Sequence, residues 1–239
     1  MKQNQFQAII FDNDGVLVDS EVIYVAVELD LLSEIGLHYD YSTYLSRFVG
    51  SSMPDYYRAL AEDYTREVGG EFPTNFGEIL SERVWPRIDA ELKALPNVES
   101  VVRAFNGPVA VASSMPLKAI YRKLKLVGIT DLFDPHIYSA EQVDKGKPAP
   151  DLFLFTANCL GVEPEKCLVI EDSVNGVKAG VAAGMVVFGF DGGGHADEGL
   201  RQRLLEAGAT HVFDKHSDCL LYTSPSPRDQ RGSRMPSSA

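Results

Sequence analysis

Short, wholly apolar runs alternate with stretches of helical spacing, and this alternation constrains the chain more than any other feature. Ala8-Ile9-Ile10-Phe11 is the first such run. From Pro96 the alternation is regular: helix 97–105 leads to strand Val109-Ala110-Val111-Ala112, helix 116–126 to His136-Ile137-Tyr138, and helix 150–160 to Leu168-Val169-Ile170. Helix 174–183 then leads to Val186-Val187-Phe188, and helix 197–207 to Thr210-His211-Val212-Phe213. Runs without a polar face are expected of strands buried on both sides of a parallel sheet. Strands alternating with helices imply right-handed crossovers, so the pattern predicts an α/β fold with a doubly wound, Rossmann-like parallel sheet.

Residues 19–95 break the alternation. Val22, Val25, Leu29, Leu32 and Ile35 follow helical spacing up to a stop at Gly36, and further helices are expected around 54–67 and 76–93. Pro54 suits a helix start, and Trp85-Pro86 reads as a core anchor followed by a helix boundary. The expected division is therefore an α/β core of residues 1–18 and 96–221 with an all-helical cap, 19–95, inserted after the first strand. Residues 222–239, YTSPSPRDQRGSRMPSSA, have no hydrophobic period and are expected to be disordered. They resemble translated adapter or vector DNA, and so a non-native tail.

Composition narrows the function. The 34 acidic residues outweigh 22 basic ones for a net charge of −12, which argues against nucleic acid and anionic membrane surfaces as partners. No run approaches the ~18 apolar residues of a membrane span, and the N-terminus has no signal-peptide core. Cys159, Cys167 and Cys219 lack metal-ligand spacing and read as reduced thiols, in keeping with a cytoplasmic protein. A monomer or weak dimer is expected.

The chemistry is concentrated where the apolar runs end. Phe11-Asp12-Asn13-Asp14-Gly15 follows the first strand, and in extended chain Asp12 and Asp14 share a face. Paired carboxylates repel unless a proton or cation intervenes, and Mg²⁺ is the natural partner of one or two carboxylates plus a phosphate oxygen. A second acidic pair, Glu171-Asp172, ends another strand, and Ser113-Ser114 ends a third. Lys147 is held between Gly146 and Pro148 in GKPAPD. Each has an ordinary reading alone: a turn, a helix N-cap, a helix-dipole charge, a surface lysine. Together, each after an apolar run, they suit a bound phosphate.

The order FDNDGVLVDSE, VAVASS, GKPAPD, VIEDSVNGVKAGVAAG resembles the haloacid dehalogenase superfamily, in the branch with a helical cap after the first motif. The resemblance implies that Asp12 attacks phosphorus to form an aspartyl-phosphate. It implies that Asp14 protonates the leaving alkoxide and later deprotonates water, for which a raised pKa would help. Mg²⁺ would be held by Asp12, the Asp14 backbone carbonyl, Asp172 and Glu171. Ser113 and the Ser114 N–H would hold phosphate oxygens, and Lys147 would neutralise charge.

Within that superfamily, Asp14 argues against dehalogenation, and the absence of lysine from residues 20–92 argues against the Schiff-base phosphonate branch. Mutases of the family usually have a first-cap-helix histidine and a basic loop near position 50. Tyr24 and Gly50-Ser51-Ser52-Met53 stand there instead, which favours a phosphatase for a small phosphorylated metabolite, similar to 6-phosphogluconate and sugar-phosphate phosphatases. A sugar-phosphate mutase, with Arg47 as its supporting feature, and a catalytically silent phosphometabolite-binding protein are the alternatives. Arg47, Ser51, Ser52 and Tyr56 are candidate substrate-facing residues. His38, His136, His195, His211 and His216 read as surface or packing residues, Gly176, Gly180 and Gly184 as helix–sheet packing positions, and Gly192-Gly193-Gly194 as a turn without Walker spacing.

Overall fold

The structure is a computed structural model that describes residues 6–48 and 53–223, apart from the side chains of 220–223. Six parallel strands, β1 (Ala8–Phe11), β2 (Val109–Ser113), β3 (Ile137–Ser139), β4 (Cys167–Glu171), β5 (Val186–Phe190) and β6 (His211–Phe213), form one sheet in the order β3-β2-β1-β4-β5-β6. β1 is interior, and the strand order reverses direction around it. That is the topological switch point at which open α/β sheets bind ligands.

Side-chain alternation divides the core into two layers. Ile9 and Phe11 join Val111, Leu168 and Ile170 under α5 (Val98–Ala104), α6 (Leu117–Leu126) and α10 (His216–Thr223). Ala8 and Ile10 join Ala110, Ala112 and Val169 under α7 (Asp151–Leu160), α8 (Val174–Ala182) and α9 (Leu200–Ala207). Helices on both faces make the sheet doubly wound, as the alternation predicts.

Residues 19–95 hold α1 (Glu21–Glu34), α2 (Tyr41–Phe48), α3 (Met53–Glu67) and α4 (Phe76–Glu91). Leu32, Tyr44, Phe48, Leu60, Val84 and Ile88 bury one another there, in an apolar cluster separate from the two sheet layers. The two linkers lie side by side: the Asp19 N–H donates to Lys93 O at 3.0 Å and the Leu95 N–H to Leu17 O at 2.9 Å.

Some boundaries differ from the expected ones. β2, β4 and β5 outlast their apolar runs, because Ser113 pairs with Ser139 and Glu171 with Gly189 in register. Pro86 lies inside α4 and does not end it; buried Val84 and Ile88 on either side offset the one lost N–H bond. Trp85 is only partly buried and takes the Arg122 guanidinium 4.3 Å above its ring. α2 is unanticipated, and α10 continues through Tyr222 and Thr223, the first two residues of the expected tail. Residues 224–239 lie outside the described residues. Cys159, Cys167 and Cys219 form no disulfide, and among the described residues no helix is long and apolar enough to cross a membrane.

Candidate active site

Asp12 leaves β1 at the switch point, its N–H bonded to Ile170 O of β4 at 2.9 Å. Asp12, Glu171 and Asp172 are all buried, and each offers an oxygen within 4.8 Å of the others'. Lys147 reaches the same spot, donating to Asp12 Oδ1 at 2.7 Å, Glu171 Oε2 at 2.8 Å and the Ala112 carbonyl at 3.0 Å. Ser113 is buried at the end of β2, its Oγ accepting from the Met115 N–H at 3.2 Å, while Ser114 is exposed beside it.

Local structure explains how these groups are held. Ser173 caps α8: its Oγ accepts from the Gly176 N–H at 3.0 Å and donates to Glu171 Oε1 at 2.8 Å. Gly176 makes this possible, since a Cβ there would lie 1.9 Å from Glu171 Cδ. The glycine thus lets α8 pack closely on β4, as its reading as a helix–sheet packing position expects, and the group it makes room for is a carboxylate. Gly15, at φ +74°, plays the same part for the other acid, because a Cβ would lie 1.8 Å from Asp172 Oδ2.

Burial and crowding set the ionisation. Burial, reinforced by the Glu171 charge and opposed by Lys147, pushes Asp12 up to about 7. Burial likewise raises Glu171 against the pull of Lys147, and Asp172 against the pull of His195. Lys147 moves the other way: burial alone would lower it, but Asp12 and Glu171 hold it above its ordinary value.

Asp14 stands apart from this group. Its Oδ1 accepts from the Ser20 hydroxyl and from the ammonium of Lys123, and its Oδ2 from Asn13 Nδ2 at 3.0 Å. Burial would raise its pKa, but Lys123, Ser20 and Asn13 together hold the carboxyl below its usual range. The raised pKa expected of an acid beside Asp12 is therefore not found at Asp14. The cause is a cation that sequence reasoning missed.

His195 is the second residue missed. Its reading as a packing residue is corrected by its position: it is buried, and Nε2 lies 3.0 Å from Asp172 Oδ2. Burial alone would lower its pKa, but the hydrogen bond and charge of Asp172, with Glu21 and Asp19, raise it to about 9. His216 by contrast is a packing residue, stacked 4.4 Å from Phe190 with its Nε2–H on Val16 O at 2.7 Å.

The candidate substrate-facing residues of the cap divide differently. Arg47 is paired with Asp63 at 2.6 Å, and Tyr56 is buried in the cap core, 3.1 Å from the Tyr44 hydroxyl. Ser51 and Ser52 lie outside the described residues.

The trio of Asp12, Glu171 and Asp172 contains neither thiol nor imidazole. Three buried carboxylates within reach of one point, with raised pKa values, form an all-oxygen donor set short of positive charge. That set fits a hard divalent cation.

Sheet, switch point and acidic cluster together define a carboxylate-rich site at the edge of a doubly wound sheet, and comparison with known proteins gives the family. Residues 6–184 match the haloacid dehalogenase-like hydrolases, and the chain belongs to that family. Among curated relatives, 6-phosphogluconate phosphatase of Escherichia coli (strain K12) is 27% identical over 187 residues, covering 78% of this chain and 83% of that protein. The phosphorylated carbohydrates phosphatase of Thermotoga maritima is 30% identical over 217 residues, covering 85% and 92%. A crystal structure of a conserved haloacid dehalogenase-like protein of unknown function from Agrobacterium tumefaciens superposes with a TM-score of 0.84 at 33% identity, over 91% of this chain and 97% of that one. The chain is thus an enzyme of the phosphatase type within this family.

Proposed function

We propose that the chain is an Mg²⁺-dependent phosphomonoesterase that hydrolyses a small phosphorylated metabolite, a sugar phosphate, through a phosphate ester on Asp12. The observation that carries this reading is the Asp12 carboxylate, 2.7 Å from the Lys147 ammonium and grouped with Glu171 and Asp172 at the switch point. Activity on phosphorylated sugars is what the two curated relatives are named for. Asp12, Glu171 and Asp172 would hold Mg²⁺, which when bound supplies charge neutralisation for the phosphate.

In the first half-reaction, an Asp12 oxygen bonds to phosphorus as the ester P–O bond breaks, and the departing oxygen takes a proton from Asp14. In the second, water bonds to phosphorus, its proton passes to the Asp14 carboxylate, and the bond to Asp12 breaks to release inorganic phosphate. Lys147 reduces the repulsion between two anions in both halves, and Ser113 with the Ser114 N–H holds the phosphate oxygens. Lys123, Ser20 and Asn13, which hold the Asp14 carboxyl below its usual range, favour its part as proton acceptor in the second half. The pairing of Arg47 with Asp63 occupies the cap cation that a mutase reading drew on.

Phosphate release from a panel of phosphorylated metabolites tests the reading. Turnover should stop on chelation and return with Mg²⁺. Asp12→Asn should abolish it while leaving the melting temperature within a few degrees of the parent; full turnover by that variant, or without metal, overturns the assignment.

A further inference from the structure

α6 buries Ala119, Ile120, Lys123 and Leu124 along one face, and Lys123 is the anomaly in that stripe. Its side chain is 0% exposed, in a position where Met or Leu would pack without a charge to satisfy. Its ammonium meets three groups, none on α6: the Asp14 carboxylate, the Ser20 hydroxyl at 3.5 Å and the face of Tyr24, whose ring centroid is 4.9 Å away. Ser20 donates to the same Asp14 oxygen, and Asn13 holds the other one. Asp14 is thereby gripped from the core by α6 and from the cap side by the residue preceding α1.

We propose that Lys123 is a positioning residue for Asp14, fixing the orientation from which that carboxyl serves the leaving oxygen. The inference rests on the proposed role of Asp14, and it has a particular signature. Aryl phosphates with an acidic phenol depart with little help from a proton, whereas alkyl phosphates need it. A residue acting through Asp14 must therefore affect alkyl esters more. A lysine that only fills space would slow both alike.

The test measures kcat/KM, which reports events up to departure of the alcohol, for glucose 6-phosphate and p-nitrophenyl phosphate. Lys123→Met should lower the alkyl value at least about tenfold more than the aryl value. Lys125→Met, on the exposed side of the same helix, should leave their ratio unchanged. Equal loss on both esters, or no loss, overturns the proposal. Because Lys123→Met strands a buried carboxylate, the pair Asp14→Asn and Asp14→Asn/Lys123→Met, in which that charge is gone, provides an independent measurement. Adding Lys123→Met to Asp14→Asn should change neither ester further, and a further loss of about tenfold shows that Lys123 acts elsewhere. If the unsubstituted chain turns over neither ester, the functional reading fails first; if Asp14→Asn shows the alkyl-selective loss and Lys123→Met does not, only this inference fails.

Discussion

The sheet-edge acids and Asp63 of the helical insert are both buried among cations, yet their charge is balanced in opposite ways. At the sheet edge Asp12, Glu171 and Asp172 share Lys147 and His195, and burial raises all three acids. In the cap the buried Asp63 collects the Tyr39 hydroxyl at 2.6 Å and the guanidinium groups of Arg47 and Arg66. Burial would raise Asp63 too, but those donors hold it below the usual range. A locus with more anion than cation can take up a further positive charge, and one already oversupplied with donors cannot. The same residue types therefore make a binding site in one region and a structural clamp in the other.

Exchanging a cation on each side breaks the comparison most sharply. Lys147→Met leaves Asp12 and Glu171 facing each other without the cation they share; it should cost about 3–5 kcal/mol in urea denaturation and abolish turnover. Gly176→Ala should unseat Glu171, lowering stability by up to about 3 kcal/mol and weakening Mg²⁺ binding in calorimetry, with Asp63 and its partners unaffected.

The two buried histidines sharpen the contrast through pH. His195 is raised by its acidic neighbours, whereas His216, buried beside a carbonyl, is lowered to about 4. The folded-state value of His216 lies below the unfolded one, so the unfolded chain takes up the proton first. Its contribution is complete above pH 6.5 and is lost as pH falls toward 4. Between pH 6.5 and 5 the parent should lose about 2 kcal/mol more stability than His216→Gln, measured by denaturation at each pH. The smallest effect is expected in the cap: Arg66→Met, on a side chain 59% exposed, should cost about 0–1 kcal/mol and leave turnover intact. A large loss there would mean that Asp63 depends on Arg66 as the sheet edge depends on Lys147.

What could be read in the sequence follows from range. Asp12, Glu171-Asp172 and Ser113 were legible because each directly follows an apolar run, and a parallel sheet must gather such ends along one edge. Lys147 was legible through its rigid surroundings. Lys123 was hidden between Arg122 and Lys125, where a basic run on an amphipathic helix resembles a solvated face; only its phase with Ala119, Ile120 and Leu124 marked it as inward. His195 was hidden because its partner Asp172 belongs to another strand end. α2 was missed because its inward positions are Tyr44, Leu45 and Phe48, short of the aliphatic repeat that marks α1.

The paired linkers have a consequence for how such enzymes diversify. Because Leu17 through Asp19 runs beside Lys93 through Leu95, the polypeptide departs from the sheet layer and returns to it at one place. A helical insert with both ends at a single doorway is attached like a cassette: helices can be added to it or removed from it while the strands beneath keep their register.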